Sequence, residues 1–205
     1  MILVYTTIIV LSFFIGSFPT GYLVARSKGI DIKSVGSGNI GATNVTRAMG
    51  KGWGVLVLLV DALKGLLPVI FVRIHFSTLS EQHLYALMVG TGMASVLGHV
   101  FTPFLKFKGG KGVATTLGVI LGINPLAGLV LIVVWLTAFL ITHVSSIGAL
   151  SSAISLPFIV FFLFRNRQNI IIMMIFAVFM SVFILFTHRE NIKRLVHGEE
   201  EALKK

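Results

Sequence analysis

The chain has 205 residues, 56% of them hydrophobic and only 12% charged, with a formal net charge of +10 and a mean hydropathy of +0.97. A soluble domain carries about 25% charged residues, so an ordinary water-soluble fold is excluded. The absence of cysteine excludes disulfides and thiolate metal sites. The basic residues sit mostly in short gaps between apolar runs, a pattern that speaks for membrane topology, with an anionic ligand as a second reason, and against nucleic acid.

A membrane-crossing helix needs roughly 20 mostly apolar residues. The first run, residues 2–25, reads as a retained span. No Lys or Arg precedes Arg26, and the run exceeds the ~7–15 residues of a signal sequence. Further runs follow at 53–72, 84–105, 126–141, 147–164 and 170–187. Between the third and fifth lies a shorter one, 113–123, ended by Asn124-Pro125. At ~1.5 Å per residue it rises only about 17 Å, less than a ~30 Å hydrocarbon core. The expectation is an all-α membrane bundle of seven segments with the fourth short, in a single domain over 1–205. The alternative is six spans with a re-entrant fourth segment. With seven crossings and an outside N-terminus, 13 basic residues fall on one side, against Arg73, Arg165 and Arg167 on the other. Positive charge favours the cytoplasm. The loops at about 26–52, 106–112 and 142–147 and the tail 188–205 are therefore expected to be cytoplasmic.

Four polar clusters share that side. VGSGNIGATNVTR, residues 35–47, combines glycines, whose permissive backbone can turn successive amides inward as an anion nest, with Ser37, Asn39, Thr43 and Asn44. Arg47 adds a fork suited to phosphate oxygens. GHVFTPFLKFKGGKG, residues 98–112, ends in a glycine turn ahead of an apolar helix. Free amides and the positive end of a helix dipole would meet phosphate there, helped by Lys108 and Lys111. It is no Walker A, since Gly112 follows Lys111. HVSSI, residues 143–147, reads first as helix-capping serines. In 188–200, helical spacing puts His188 with Asn191, and Glu190 with Arg194. Within the second span, Asp61 and Lys64 are three apart and can neutralise each other at a depth where a lone charge costs about 2.5–3.5 kcal/mol.

The seven acids, Asp31, Asp61, Glu81, Glu190, Glu199, Glu200 and Glu201, form no spaced cluster for Mg²⁺. No G-x-S-x-G elbow is present. Phosphate must be handled by amides, Lys and Arg, which points to direct transfer between two bound substrates with no metal and no cofactor. A phosphate transporter and a lipid-contacting scaffold are the competing classes. The chain shows no internal repeat of the kind many transporters carry.

These stretches, with GSFPTG at 16–21, DALKG at 61–65, FKGGKGVAT at 107–115 and HRENI at 188–192, resemble the bacterial acyl-phosphate:glycerol-3-phosphate acyltransferases of the PlsY type. The resemblance covers nearly the whole chain. The histidine–aspartate box of the soluble and peripheral acyltransferases is missing, since His99, His143 and His188 have no Asp five residues on. The resemblance implies a seven-span inner-membrane enzyme with a cytoplasmic site. It would move a fatty acyl group from acyl phosphate to glycerol 3-phosphate, giving lysophosphatidic acid and phosphate. Gly109, Gly110, Lys111, Gly112 and Lys108 are then expected to hold acyl phosphate. Ser37, Asn39, Thr43, Asn44, Arg47, Ser145 and Ser146 would hold glycerol 3-phosphate, the two serines on the loosest match. His188, Asn191, Ser37, Arg47 and Lys108 are the expected catalytic set, with the base either His188 or a substrate phosphate. Besides the two substrates, membrane lipids are the only partners expected. Oligomeric state is open, and a monomer is compatible with the sequence.

Overall fold

The computed structural model describes residues 1–203 and is helical, with no strand among them. The helices are α1 Ile2–Ser17, α2 Thr20–Ser27, α3 Ala42–Met49, α4 Lys51–His75, α5 Glu81–Val100, α6 Val113–Ile123, α7 Pro125–Thr142, α8 Ser145–Phe164, α9 Ile170–Thr187 and α10 Arg189–Val196. A 3₁₀ turn, Pro103–Leu105, follows α5. Lys204 and Lys205, counted above on the basic side, lie outside the described residues.

The expectation of seven spans is corrected. Six helical stretches are long and apolar enough to cross a membrane, and α6, with 11 residues, is not. The chain stops α6 at Asn124, whose Oδ1 accepts from the Ala127 amide at 3.0 Å, with Pro125 opening α7. Helix α6 nevertheless runs beside α4 in the same direction. Its Gly112 end lines the same cavity as Asp61, and Arg73, in the last turn of α4, donates to the Gly122 carbonyl at 3.4 Å. Helix α7 then returns to the first face, so the two-sided distribution of charge survives a short α6. The loop expected over 26–52 is corrected too, since its second half is the helix α3.

Small residues set the tightest seams. A Cβ on Gly118 of α6 would lie 1.9 Å from the Ala62 carbonyl oxygen, and one on Gly98 of α5 would lie 2.0 Å from that of Phe13. Such approaches exclude any side chain and let apolar helices bind by contact alone. Val69, Met88, Val96, Val119, Leu156 and Phe176 fill the interior. Leu59, Val133, Phe158 and Ile175 are more than half exposed and form the lipid-facing surface. Asp61 and Lys64 are buried together, their charged atoms 2.5 Å apart. Pro19 breaks the first span between α1 and α2, which turns out the Phe18 carbonyl, and Lys64 Nζ donates to it at 2.5 Å.

Candidate active site

A polar cavity of about 140 Å³ opens at the face where α4 and α6 begin and where α5, α7 and α9 end. The first turns of three helices converge on it. Gly41, Ala42 and Thr43 come from the start of α3, Gly112, Val113 and Ala114 from that of α6, and Ser145 and Ser146 from that of α8. None of the three carries a side-chain cap. Their first amides and their dipoles therefore add a positive field to the cavity, which the carboxylates of Asp61 and Glu200 in the same lining oppose in part. Arg47 and Lys111 add full charges to the lining.

The glycine turn before α6 serves this site differently from the sequence reading. The amides of Gly109 and Gly110 are not free, since they donate to the carbonyls of Val100 and His99 at 2.9 and 3.1 Å. A Cβ on Gly110 would lie 2.0 Å from His99 Nε2. These glycines let the chain lie flat on His99. Lys108 is exposed, and neither it nor Gly109 nor Gly110 lines the cavity, whereas Lys111 and Gly112 do. Gly112, at φ +85°, swings the chain into α6.

The stretch 35–41 is likewise no open nest. Ser37 N–H donates to Asn44 Oδ1 at 3.0 Å, Gly38 N–H to the Val35 carbonyl at 3.0 Å, and Gly41 N–H to Asn39 Oδ1 at 2.8 Å. Buried Asn44 donates from Nδ2 to the carbonyls of Ile32, Val35 and Asn39 at 3.2, 2.9 and 2.9 Å. It knots the loop and lets it present Ser37, Asn39 and Thr43 to the cavity. Ser145 and Ser146 do not cap α8. Ser145 Oγ lies 2.9 Å from Thr43 Oγ1, and Ser146 Oγ donates to Glu200 at 2.8 Å.

His188 and Asn191 face the cavity from the junction of α9 and α10. His188 Nδ1 lies 2.9 Å from the Ile184 carbonyl. A carbonyl can only accept, so Nδ1 carries the proton and Nε2 is left as an acceptor. Burial, then the charge of Lys111, push the imidazole down to about 4. Lys111 Nζ donates to Asn191 Oδ1. Burial, followed by repulsion from Arg194, lowers its ammonium to about 8, with Arg47 adding to the fall and Glu200 opposing it. Arg47 Nη2 donates to the Glu201 carbonyl at 2.7 Å, while its buried Nε has no hydrogen-bond partner among the described residues.

Beside the polar cavity lies an apolar groove of about 350 Å³ between α4, α6, α7 and α8. Leu58, Val113, Ala114, Trp135 and Ala149 line both spaces, so the two adjoin.

The glycerol-3-phosphate acyltransferase family model matches residues 6–198. Relatives of that name include one from Geotalea daltonii, 42% identical over 97% of both chains, and one from Aquifex aeolicus, 41% identical over 94% of this chain and 96% of its own. The chain belongs to the glycerol-3-phosphate acyltransferase family. A crystal structure of PlsY (YgiH), an integral membrane glycerol 3-phosphate acyltransferase in its glycerol 3-phosphate form, superposes with a TM-score of 0.86 at 39% identity, covering 98% of this chain and 96% of that one. Its lysophosphatidic acid form superposes at 0.84.

Three residues of the cavity lining were not read from the sequence as site residues. Asp61 and His99 form part of the lining, with His99 Nδ1 3.8 Å from Asp61 Oδ1. The i,i+3 spacing of Asp61 and Lys64 signals their pairing but not their depth beside the site. Glu200 closes the cavity from the C-terminal strap. Burial alone would raise its carboxyl, but hydrogen bonds from Asn191, Ser146 and Arg194 outweigh that and hold it below its ordinary value.

Proposed function

We propose that this glycerol-3-phosphate acyltransferase takes its acyl group from acyl phosphate and releases lysophosphatidic acid and inorganic phosphate at the cytoplasmic side of a bacterial inner membrane. One observation supports the choice of donor: a groove fit for a fatty chain adjoins a cavity that carries Arg47, Lys111 and three helix starts. A chain lying along Leu117, Leu121 and Leu136 would bring its phosphate to the start of α6, beside Lys111. Glycerol 3-phosphate would then lie against the starts of α3 and α8, held by Arg47, Ser37, Asn39, Thr43 and Ser145. The basic residues Lys51, Lys106 and Lys108 near that face, against Arg73, Arg165 and Arg167 opposite, support its cytoplasmic placement.

The glycerol hydroxyl oxygen attacks the acyl carbonyl carbon. A new ester C–O bond forms, the bond to the phosphate oxygen breaks, and phosphate leaves with the electron pair. The positive field that binds the phosphates also stabilises the charge that grows on the leaving group. His188 Nε2, left as an acceptor at the cavity, would accept from the hydroxyl and orient it. At about 4 the imidazole is too weak a base to keep the proton. A phosphate oxygen, with a second pKa near ~6, is the better acceptor.

The test is purified protein with acyl phosphate and radiolabelled glycerol 3-phosphate, without acyl-CoA or acyl-carrier protein. Labelled lysophosphatidic acid is expected. Product formed only on adding an acyl thioester would overturn the choice of donor.

A further inference from the structure

The last described residues cross the mouth of the cavity. Gly198, at φ +71°, turns the chain out of α10, and the Glu199 amide donates back to the Arg194 carbonyl at 2.8 Å. Arg47 donates to the Glu201 carbonyl at 2.7 Å, and the Leu203 amide donates to the His143 carbonyl at 2.9 Å. This strap delivers one carboxylate into the site. Glu200 Oε1 accepts from Ser146 Oγ at 2.8 Å and from Asn191 Nδ2 at 2.6 Å, while Oε2 accepts from Arg194 Nε at 2.6 Å. The side chain is 4% exposed.

We propose that Glu200 is a positioning residue of the active site, which fixes the orientation of Asn191 and through it the direction of Lys111. The proposal rests on the acyltransferase reading of the cavity. An amide side chain has one donor end and one acceptor end. With Nδ2 committed to Glu200, Asn191 can offer Lys111 only Oδ1, and Lys111 Nζ donates to it. Rotating the amide by half a turn would put its NH₂ against an ammonium and its oxygen against a carboxylate. The carboxylate thus selects one of two otherwise similar rotamers. It ties α8, α10 and the turn before α6 into one network. It also offsets a local excess of cations, since Arg47, Arg194 and Lys111 meet near one mouth while the other cavity carboxylate, Asp61, is paired with Lys64.

Glu200→Gln tests this, because glutamine keeps the size but removes the charge and puts an NH₂ donor at one of the two oxygen positions, against either Arg194 or the pair Ser146 and Asn191. The expected loss in kcat is roughly tenfold to a hundredfold, the scale of a misplaced catalytic geometry, with a smaller change in KM for glycerol 3-phosphate. A second readout follows from charge. Lys111 faces Arg47 of α3, His188 and Arg194 of the last helical segments, and Glu200. Removing the carboxylate from that set should move the alkaline limb for glycerol 3-phosphate binding, followed by thermal stabilisation, down by about half a pH unit or more. In an Asn191→Ala background the same change should cost little, since the residue it acts through is gone. Glu199→Gln, at an exposed neighbour, is the control for the strap. Should Glu200→Gln fail to fold, Glu200→Asp carries the test, with kcat reduced and the limb in place. Unchanged kcat in either variant overturns the proposal. So does a fall in KM, which would make Glu200 an occupant of a phosphate position, or additivity with Asn191→Ala. Wild-type protein that binds glycerol 3-phosphate but does not acylate it would count against the enzyme reading alone, because the binding limb is measured without a donor.

Discussion

Asn44→Asp is the sharpest probe of how the loop before α3 is built. The substitution is isosteric, and the bond from the Ser37 amide to Oδ1 survives it. The other end of the side chain changes sign. Nδ2 now donates to three carbonyls, those of Ile32, Val35 and Asn39, at 2.9–3.2 Å. An aspartate would place an acceptor there, inside a site where residue 44 is 2% exposed. Each lost bond costs about 1 kcal/mol, and each buried acceptor left unpaired adds to it. The sum is about 3–6 kcal/mol against the ordered loop, which at ~1.4 kcal/mol per factor of ten is a hundredfold or more in its population. Hydrogen exchange over residues 31–44 of the purified protein should lose protection, and turnover should fall by about the same factor. Asn44→Ala, which removes all four bonds but adds no repulsion, should fall short of that loss. Normal loop protection together with a raised KM for glycerol 3-phosphate in both variants would refute this reasoning and make Asn44 a direct substrate contact.

The value of about 8 for Lys111 has a sign that can be checked. Its ammonium is present below that pH and lost above it, so kcat/KM for glycerol 3-phosphate should fall above about pH 8, and Lys111→Arg should carry the limb upward. His188→Gln should cost turnover only modestly if a phosphate oxygen takes the proton. A near-total loss with substrate binding intact would assign the base to His188. Lys64→Met leaves Asp61 charged and unpaired in the bilayer interior and should destabilise the protein by about 3–5 kcal/mol, read as a lower melting temperature in detergent, while adding Asp61→Asn should restore much of it. Ala153→Phe narrows the apolar groove and should reduce turnover of long acyl donors more than short ones, measured across a series of chain lengths.

What could be read from the sequence was what a single physical constraint dictates. A hydrocarbon core demands some 20 apolar residues per crossing, so each long helix was legible to within a few residues at most of its ends. The shortness of 113–123 was legible for the same reason. Hydrogen-bond partners obey no such period. Glycines at 109 and 110 read as free phosphate-binding amides, but those amides are spent on the carbonyls of Val100 and His99, and the missing Cβ atoms make room for His99. Helix α3 lies where Thr, Asn and Gly argue for loop, and it forms because Val45, buried at 0% exposure, anchors one face while Asn44 ties the preceding turn. Glu200 was one acid in a run of three that reads as a solvated tail. Its three donors come from α8 and α10, and Ser146 is 54 residues away along the chain. Of the glycines and cations read as phosphate-binding, Gly112, Arg47 and Lys111 line the polar cavity. The three uncapped helix starts in its lining become visible only where the fold brings α3, α6 and α8 to one mouth. A short α6 serves that arrangement. Starting at the cavity and ending at Asn124, it presents its first turn to the site without having to span the bilayer alone.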